Sequence, residues 1–489
     1  MSQYYTATDH FVLVPAIMLA LFGCAILLFD FWVFPEPKQR KWLLAFLALG
    51  EAFAGYGLWQ QHTYIAGQGI AELTAFQGSL VVDGFSLFFN WMFIAAASIV
   101  ALMSYRYLEV EGEHHGEYYS LILLAQCGMY FLASGADLIT LFVGLELMAL
   151  CFYIMVGFLR SDKRSNEAAM KYLLLGGFSS GFLAYGFSLL YGLSGSTKLS
   201  EIGVAIARRD PADPVLLLAM VTTTVGLLFK ISAVPFHMWA PDAYEGAPTT
   251  VTAYLSVGSK AASIAFLLRI FLGPLASARA AWEPLLVFAA IASLTVGNLA
   301  AISQHNIKRL LAYSSISHAG YMLLGLVAGN ETGIKGVAVY VLVYTFTNLG
   351  VFLVIVALRR EGLVGDNIDD LAGLMHKSPG YALLMLICLL SLAGIPPTAG
   401  FIGKYYIFLS LIQAGRYVLA AAAALYVAVA IYYYFRIVRS MFMSDAEDAG
   451  AMETTFGVRV AAALTGLGTL GIGIFPEPFL RFAGQSLIR

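Results

Sequence analysis

The sequence predicts an all-α polytopic membrane protein. Of its 489 residues, 60% are hydrophobic and only 12% are charged, about half the charged share of an ordinary soluble domain. Mean hydropathy is +0.78. Apolar runs of about 20 residues, the length that crosses about 30 Å of hydrocarbon, recur from end to end. A membrane β-barrel would alternate in segments of about ten residues, and the sequence shows no such alternation.

Fourteen spans follow in order: 11–33, 42–60, 84–105, 118–135, 137–159, 165–192, 214–240, 247–272, 282–303, 307–329, 333–358, 379–413, 416–440 and 456–475. The first run begins near Phe11 without a basic stretch before it or a small-residue cleavage site after it, so it reads as a retained span. The second holds Glu51 in "ALGEAFAGYG", and the fifth holds Glu146 in "LFVGLELMALCFY". Lys171 lies about one turn inside the sixth, where "GGFSSGFLAYG" reads as close helix packing. In the seventh, Lys230 is the only formally charged residue between Val215 and Pro241, and Pro235 follows it. Lys260 lies inside the eighth. The twelfth, at about 35 residues, is too long for one straight crossing, and it contains Pro396, Pro397 and Lys404. Connections are short, which leaves no soluble domain. The longest polar one, Arg359 to Lys377, is expected to be partly helical.

Lysine and arginine in the loops orient the chain. With the N-terminus outside, fifteen of them fall inside, including Lys38, Arg164, Arg309 and Arg360, and nine fall outside, including Arg279 and Arg489. The excess favours both termini outside, although the 193–213 loop runs against it. Of the 28 basic residues, four remain within spans: Lys171, Lys230, Lys260 and Lys404. A net charge of −2 and the lack of a basic tail give no reason to invoke nucleic acid. Cys24, Cys127, Cys151 and Cys388 sit in apolar runs without metal-type spacing and read as small buried hydrophobes.

A charge at the bilayer centre costs about 2.5–3.5 kcal/mol on insertion scales, so these lysines should turn inward, toward one another, water or a carboxylate. Burial disfavours an ammonium and a nearby carboxylate favours it, and a row of such groups makes a proton relay. Glu146 is the acid candidate. Glu51 is a second acid with no obvious partner in the sequence. Lys171 has an ordinary reading as well, a helix-surface pair with Glu167. Pro235 and the Pro396–Pro397 pair break their helices, and broken backbone at membrane depth belongs where protein or a wet cavity covers it. Each break has a lysine close by. Two interrupted helices in corresponding halves point to repeats and an ion site near the midplane. His237 and His318 are placed either to shuttle protons or to sit satisfied in the core; His305 reads as the latter. The hydroxyls of "YSSISHAGY" and "VYTFTN" read mainly as glue between helices.

Several stretches in order resemble one family. They are "LELMAL" with Glu146, "EAAMKYLLLGG" with Lys171, "FKISAVPFHMWAPDAYEGAP" with Lys230, "SKAA" with Lys260, "IKRLLAYSSISHAGY", and "LAGIPPTAGFIGKYY" with Lys404. Over residues 80–440 the chain resembles the antiporter-like membrane subunits of respiratory complex I, nearest to the N-type branch related to mitochondrial subunit 2. The resemblance implies fourteen transmembrane helices, with helices 7 and 12 broken. It implies helices 1–3 in 1–110, a first inverted repeat in 111–275 (helices 4–8), a second in 276–441 (helices 9–13), and helix 14 in 442–489. It implies that Glu146 pairs with Lys230, that Lys260 links the halves, that Lys404 serves the second half, and that Lys171 modulates the pair. M-type subunits carry glutamate where Lys404 stands, and L-type subunits continue into a long lateral helix, whereas this sequence stops at Arg489. Both points favour the N-type branch.

The expected function is proton translocation in the membrane arm of an NADH:quinone oxidoreductase of the bacterial cytoplasmic membrane. It would be driven by redox chemistry elsewhere, because no Gly-rich phosphate loop precedes a helix here and no ligand set for flavin or iron–sulfur is evident. By the resemblance, FMN, iron–sulfur clusters and quinone belong to partner subunits. The expected neighbours are the K and M chains, the hydrophilic redox arm and lipid. A subunit of a multi-subunit cation/proton antiporter would use the same buried charges but bring no redox partner. An inert spacer would tolerate loss of the lysines.

Overall fold

In the computed structural model the described residues are 5–33, 40–359, 365–445 and 454–485. Lys38, Arg360 and Arg489, which enter the orientation count, lie outside them. Every predicted span coincides with a helix or with a broken helix. The first six are α1 (Ala7–Trp32), α2 (Lys41–Gln68), α3 (Gly84–Glu111), α4 (Gly116–Ser134), α5 (Leu138–Val156) and α6 (Lys163–Ser194). A short α7 (Leu199–Ala207) then crosses the 193–213 loop. The seventh span is α8 (Pro214–Lys230) and, after the break, α9 (Trp239–Gly246). The eighth is α10 (Thr249–Tyr254) and α11 (Lys260–Leu272), joined by a π-helical turn over Leu255–Ser259. Next come α12 (Arg279–Ile302), α13 (Ile307–Ala328) and α14 (Glu331–Leu358). The 359–377 connection is partly helical, with a 3-10 turn at Ile368–Leu371 and α15 (Leu374–Lys377). The twelfth span is α16 (Pro379–Ala393) plus α17 (Ala399–Gln413), followed by α18 (Tyr417–Met443), α19 (Phe456–Ile474) and α20 (Glu477–Gln485). By length and composition, eleven helices among the described residues suffice to cross a membrane, and α8 and α16 are shorter apolar helices.

Side-chain caps set many helix starts, where the first N–H groups lack partners. Thr6 and Asp9 form a reciprocal capping box at α1, and Asp83 with Ser86 does so at α3. Asp137, Asp162, Asp213, Asn306 and Asn330 cap five more. One feature has no counterpart in the span assignment. Glu72–Ala75 (β1) and Leu80–Asp83 (β2) form an antiparallel hairpin, Glu72 opposite Asp83 and Ala75 opposite Leu80. Its turn puts Phe76 and Gln77 at positive φ. The hairpin is tied down at Asp83, which forms a bidentate pair with Arg269 at 2.8 Å.

Burial sorts the helices. The eighth span, α13 and α14 are almost wholly buried, whereas α1, α18 and α19 are buried on one side only. In a bilayer the shielded helices at the centre are the ones free to carry polar groups: α13, almost wholly buried, is far less apolar than the peripheral α1. That centre therefore presents its few polar side chains to one another rather than to lipid.

Candidate functional site

The two breaks come first, because they set where cations can sit. After Lys230, Ser232 takes φ 61° and Pro235 prevents helical continuation. The freed groups find partners from elsewhere: the Trp239 indole donates to the Phe229 carbonyl (3.0 Å), and the Val234 N–H donates to Ser293 Oγ (2.9 Å). At the second break Gly394 takes φ 85°, which a glycine adopts without strain. The Gly400 N–H donates to Ser391 Oγ (2.9 Å). Lys404 donates to the Leu392 and Ala393 carbonyls (2.9 and 2.8 Å), so a cation closes the C-terminus of α16. That end carries the negative pole of the helix dipole.

Lys230, Lys260, Lys404 and His318 are all deeply buried, at 4%, 2%, 3% and 5% exposed. None of the three lysines forms an ion pair among the described residues. Lys230 donates to the Tyr153 hydroxyl (3.4 Å). Lys260, the first residue after the π turn, donates to the Ser315 carbonyl (2.7 Å) and closely to Ser315 Oγ, and lies 6.0 Å from the Tyr344 ring centroid. Lys404 lies 5.0 Å from the Tyr321 ring centroid, within cation–π range. His318 bonds Tyr340 OH through Nδ1 (2.6 Å) and Tyr434 OH through Nε2 (3.1 Å), and Tyr434 OH meets Ser314 Oγ at 2.5 Å.

Together these groups form one continuous line of contacts. From Lys230 it passes to Tyr153, then Tyr172 (ring centroids 4.6 Å), Trp239 (4.5 Å) and Tyr244 (6.5 Å). Tyr244 OH is 3.3 Å from Ser315 Oγ, which holds Lys260. Tyr344, beside Lys260, lies 5.1 Å from His318 by ring centroids, Tyr340 follows at 5.8 Å, and Tyr321 stacks on Tyr340 at 6.2 Å before reaching Lys404. Hydroxyls and imidazole both donate and accept, and the Lys230–Tyr153, Tyr244–Ser315, Ser315–Lys260 and His318–Tyr340 links are hydrogen bonds; the other links are ring contacts, which by themselves carry no proton.

Glu146 sits at one end, partly exposed on α5, and accepts from Ser180 Oγ (2.5 Å). Among the described residues no ion pair joins it to Lys230, so the pairing expected from the resemblance is not made here. Lys171 is half-exposed near the start of α6 and pairs with Glu167 and Asp242, each at 2.9 Å; it makes no contact with Glu146. Glu51 is 4% exposed and apart from the line; it accepts from Gln126 Nε2 (2.9 Å) and leaves Oε1 without a partner. His237 lies half-buried in the first break, its Nδ1 also unpartnered. His305 is exposed, and its carbonyl accepts from the Ile368 N–H (3.1 Å).

Sequence reasoning missed Tyr153, Ser180, Ser315, Tyr434 and Gln126. The stretch read as close packing packs closely only in part: a Cβ on Gly186 would lie 2.4 Å from Thr223 Oγ1, whereas one on Gly177 or Gly181 would meet open space. Ser180 within it serves Glu146.

Comparison with known proteins places this geometry. Residues 135–431 match a family model described as NADH:quinone oxidoreductase/Mrp antiporter, transmembrane. The chain is 73% identical to NADH-quinone oxidoreductase subunit N 2 of Solibacter usitatus, over 100% of this chain and 99% of that one. It is 55% identical to subunit N 1 of Koribacter versatilis, over 98% and 96%. Among solved structures it resembles a chain of respiratory complex I from Thermus thermophilus with bound aureothin: TM-score 0.79 and 32% identity, covering 96% of this chain and 98% of that one. A chain of the Mrp complex from Dietzia shares the fold (TM-score 0.83, 21% identity, covering 99% and 97%).

Proposed function

The chain belongs to the NADH:quinone oxidoreductase/Mrp antiporter family, in its subunit N branch, and from that premise we propose that it carries protons through the membrane arm of complex I along the line from Lys230 to Lys404. The observation that carries this reading is the unbroken contact between three buried lysines through hydroxyls, aromatic rings and His318. A charge buried without a carboxylate partner is costly. Glu146 is the adjustable partner. When it approaches Lys230 the ammonium keeps its proton; when it withdraws to Ser180 the proton passes on toward Lys260. His318 then relays it to Lys404, which serves the second half of the chain.

Lys171 and His237 stand beside this path as regulators of proton access, with Lys171 at the mouth, and Glu51 acts from outside it. Helices 4–8 (111–275) and 9–13 (276–441) act as two inverted repeats, each with one broken helix, framed by 1–110 and 442–489. The free energy comes from NADH oxidation and quinone reduction on partner subunits, which hold FMN and the iron–sulfur clusters. The neighbours are the K and M chains in a bacterial cytoplasmic membrane, with both termini outside. Lys230→Met or Glu146→Ala in the assembled complex should lower NADH-driven proton uptake into inverted membrane vesicles. Unaltered pumping and quinone reduction in both variants, with the subunit present, would overturn the assignment.

A further inference from the structure

A charged cluster outside the line remains unexplained. Asp242 on α9 spends both carboxylate oxygens on cations from different parts of the bundle: Lys171 on α6 at 2.9 Å, and Arg309 on α13 at 2.9 Å. Arg309 also holds Glu245 at 2.9 Å, and Lys171 also holds Glu167. These groups surround a cavity of about 290 Å³.

What lies beneath the cluster gives it a use. Asp242 and Trp239 are three residues apart, on one face of α9. Trp239 stacks on Tyr172, the residue after Lys171, with an interplanar angle of 15°, and its indole holds the carbonyl of Phe229, the residue before Lys230. Tyr172 meets Tyr153 edge-on, and Tyr153 is the hydrogen-bond partner of Lys230. α9 lies hard against α6: a Cβ on Gly246 would come within 2.6 Å of Ala168 Cβ and of the Arg164 carbonyl oxygen. A small shift of α9 along α6 is therefore passed to the stack.

Resting on the relay reading above, we propose that Asp242 is a positioning residue for Lys230. Its carboxylate, shared between α6 and α13, sets how α9 seats against α6, and through Trp239, Tyr172 and Tyr153 sets where the Lys230 ammonium is held. Magnitudes separate this role from a stabilising one. Ion pairs open to solvent contribute little to stability, and the Lys171 and Arg309 side chains that Asp242 holds are 46% and 31% exposed, so the fold should survive loss of the charge. A misplacement of about 1 Å at a reacting group can cost about a hundredfold in rate.

The test uses inverted membrane vesicles containing the assembled complex with D242N, D242E, Y153F, the D242N/Y153F double variant, or K230M. D242N should assemble and lose roughly tenfold or more of NADH-driven pumping; D242E should restore most of it; the double variant should be no worse than Y153F. Unaltered pumping in D242N, a D242E variant no better than D242N, or multiplying losses in the double variant would overturn the proposal. So would failure of both D242N and D242E to assemble, which would make Asp242 a folding residue. K230M separates the two levels. Normal pumping in K230M removes the relay itself, whereas a silent K230M beside a normal D242N removes only the role of Asp242.

Discussion

Gly176→Ala tests the contact between Tyr153 and Lys230 while leaving both residues in place. A Cβ at position 176 would lie 2.0 Å from the Tyr153 hydroxyl and 2.7 Å from its ring carbon Cζ. Ordinary contact begins near 3.4 Å, so the hydroxyl must retreat by about 1.4 Å. Tyr153 has little room to do so, because Tyr172 lies edge-on against it at 4.6 Å. Its bond to Lys230 is already long at 3.4 Å and does not survive such a move. Overpacking of this kind costs about 1–3 kcal/mol in stability, which a subunit held in a complex should tolerate. Displacing the first acceptor beyond the ammonium should cost more in rate, up to about a hundredfold. The assay is NADH-driven quenching of a pH-sensitive dye in inverted vesicles, normalised to the amount of assembled complex. Gly176→Ser should be at least as impaired. A fully assembled Gly176→Ala complex that pumps at the unaltered rate would refute the reasoning.

Other perturbations follow from the same geometry. Ser315→Ala removes one acceptor from Lys260 but leaves the main-chain carbonyl; it should forfeit about 1.5–3 kcal/mol of charge-assisted bonding and slow pumping without abolishing it, with Ser315→Thr restoring the rate. Gln126→Leu takes away the hydrogen-bond donor to Glu51 and should destabilise the α2–α4 contact by about 1–3 kcal/mol, read as a lower melting temperature of the detergent-solubilised complex; Glu51→Leu in the same chain should reverse the loss. Arg269→Met strands Asp83, whose partner is 7% exposed in its side chain, and should cost about 3–5 kcal/mol, seen as reduced thermal stability or loss of the subunit from the complex.

The fold was legible because a bilayer demands long apolar runs, and this chain interrupts them rarely. Lys230, Lys260 and Lys404 announced themselves for the same reason: a formal charge in an apolar run is conspicuous. The proline breaks were equally visible. What the sequence concealed was the material between the lysines. Tyr153, Ser315 and Tyr434 are residue types that occur throughout these spans, and the sequence does not tell which of 27 tyrosines will face a lysine. Their pairings are also distant along the chain: Lys230 with Tyr153 across 77 residues, His318 with Tyr434 across 116. Glu51 found its partner in Gln126, an uncharged residue 75 positions away. The hairpin at 72–83 escaped because a four-residue strand on either side of a tight turn is too short for period-two patterning to stand out.

Height within the bundle has one more consequence. Lys260 is the twelfth of the 24 residues from Thr249 to Leu272, His318 is the twelfth of 22 in α13, and Lys230 and Lys404 adjoin the interruptions of their own spans. The file of contacts therefore runs across the helix axes near their middles. A charge crossing the whole bilayer works against about 2.3 kcal/mol per 100 mV of potential. In the relay proposed above, a hop between neighbours at equal depth would work against almost none of it, so membrane voltage would weigh on entry and exit rather than on the steps between the lysines.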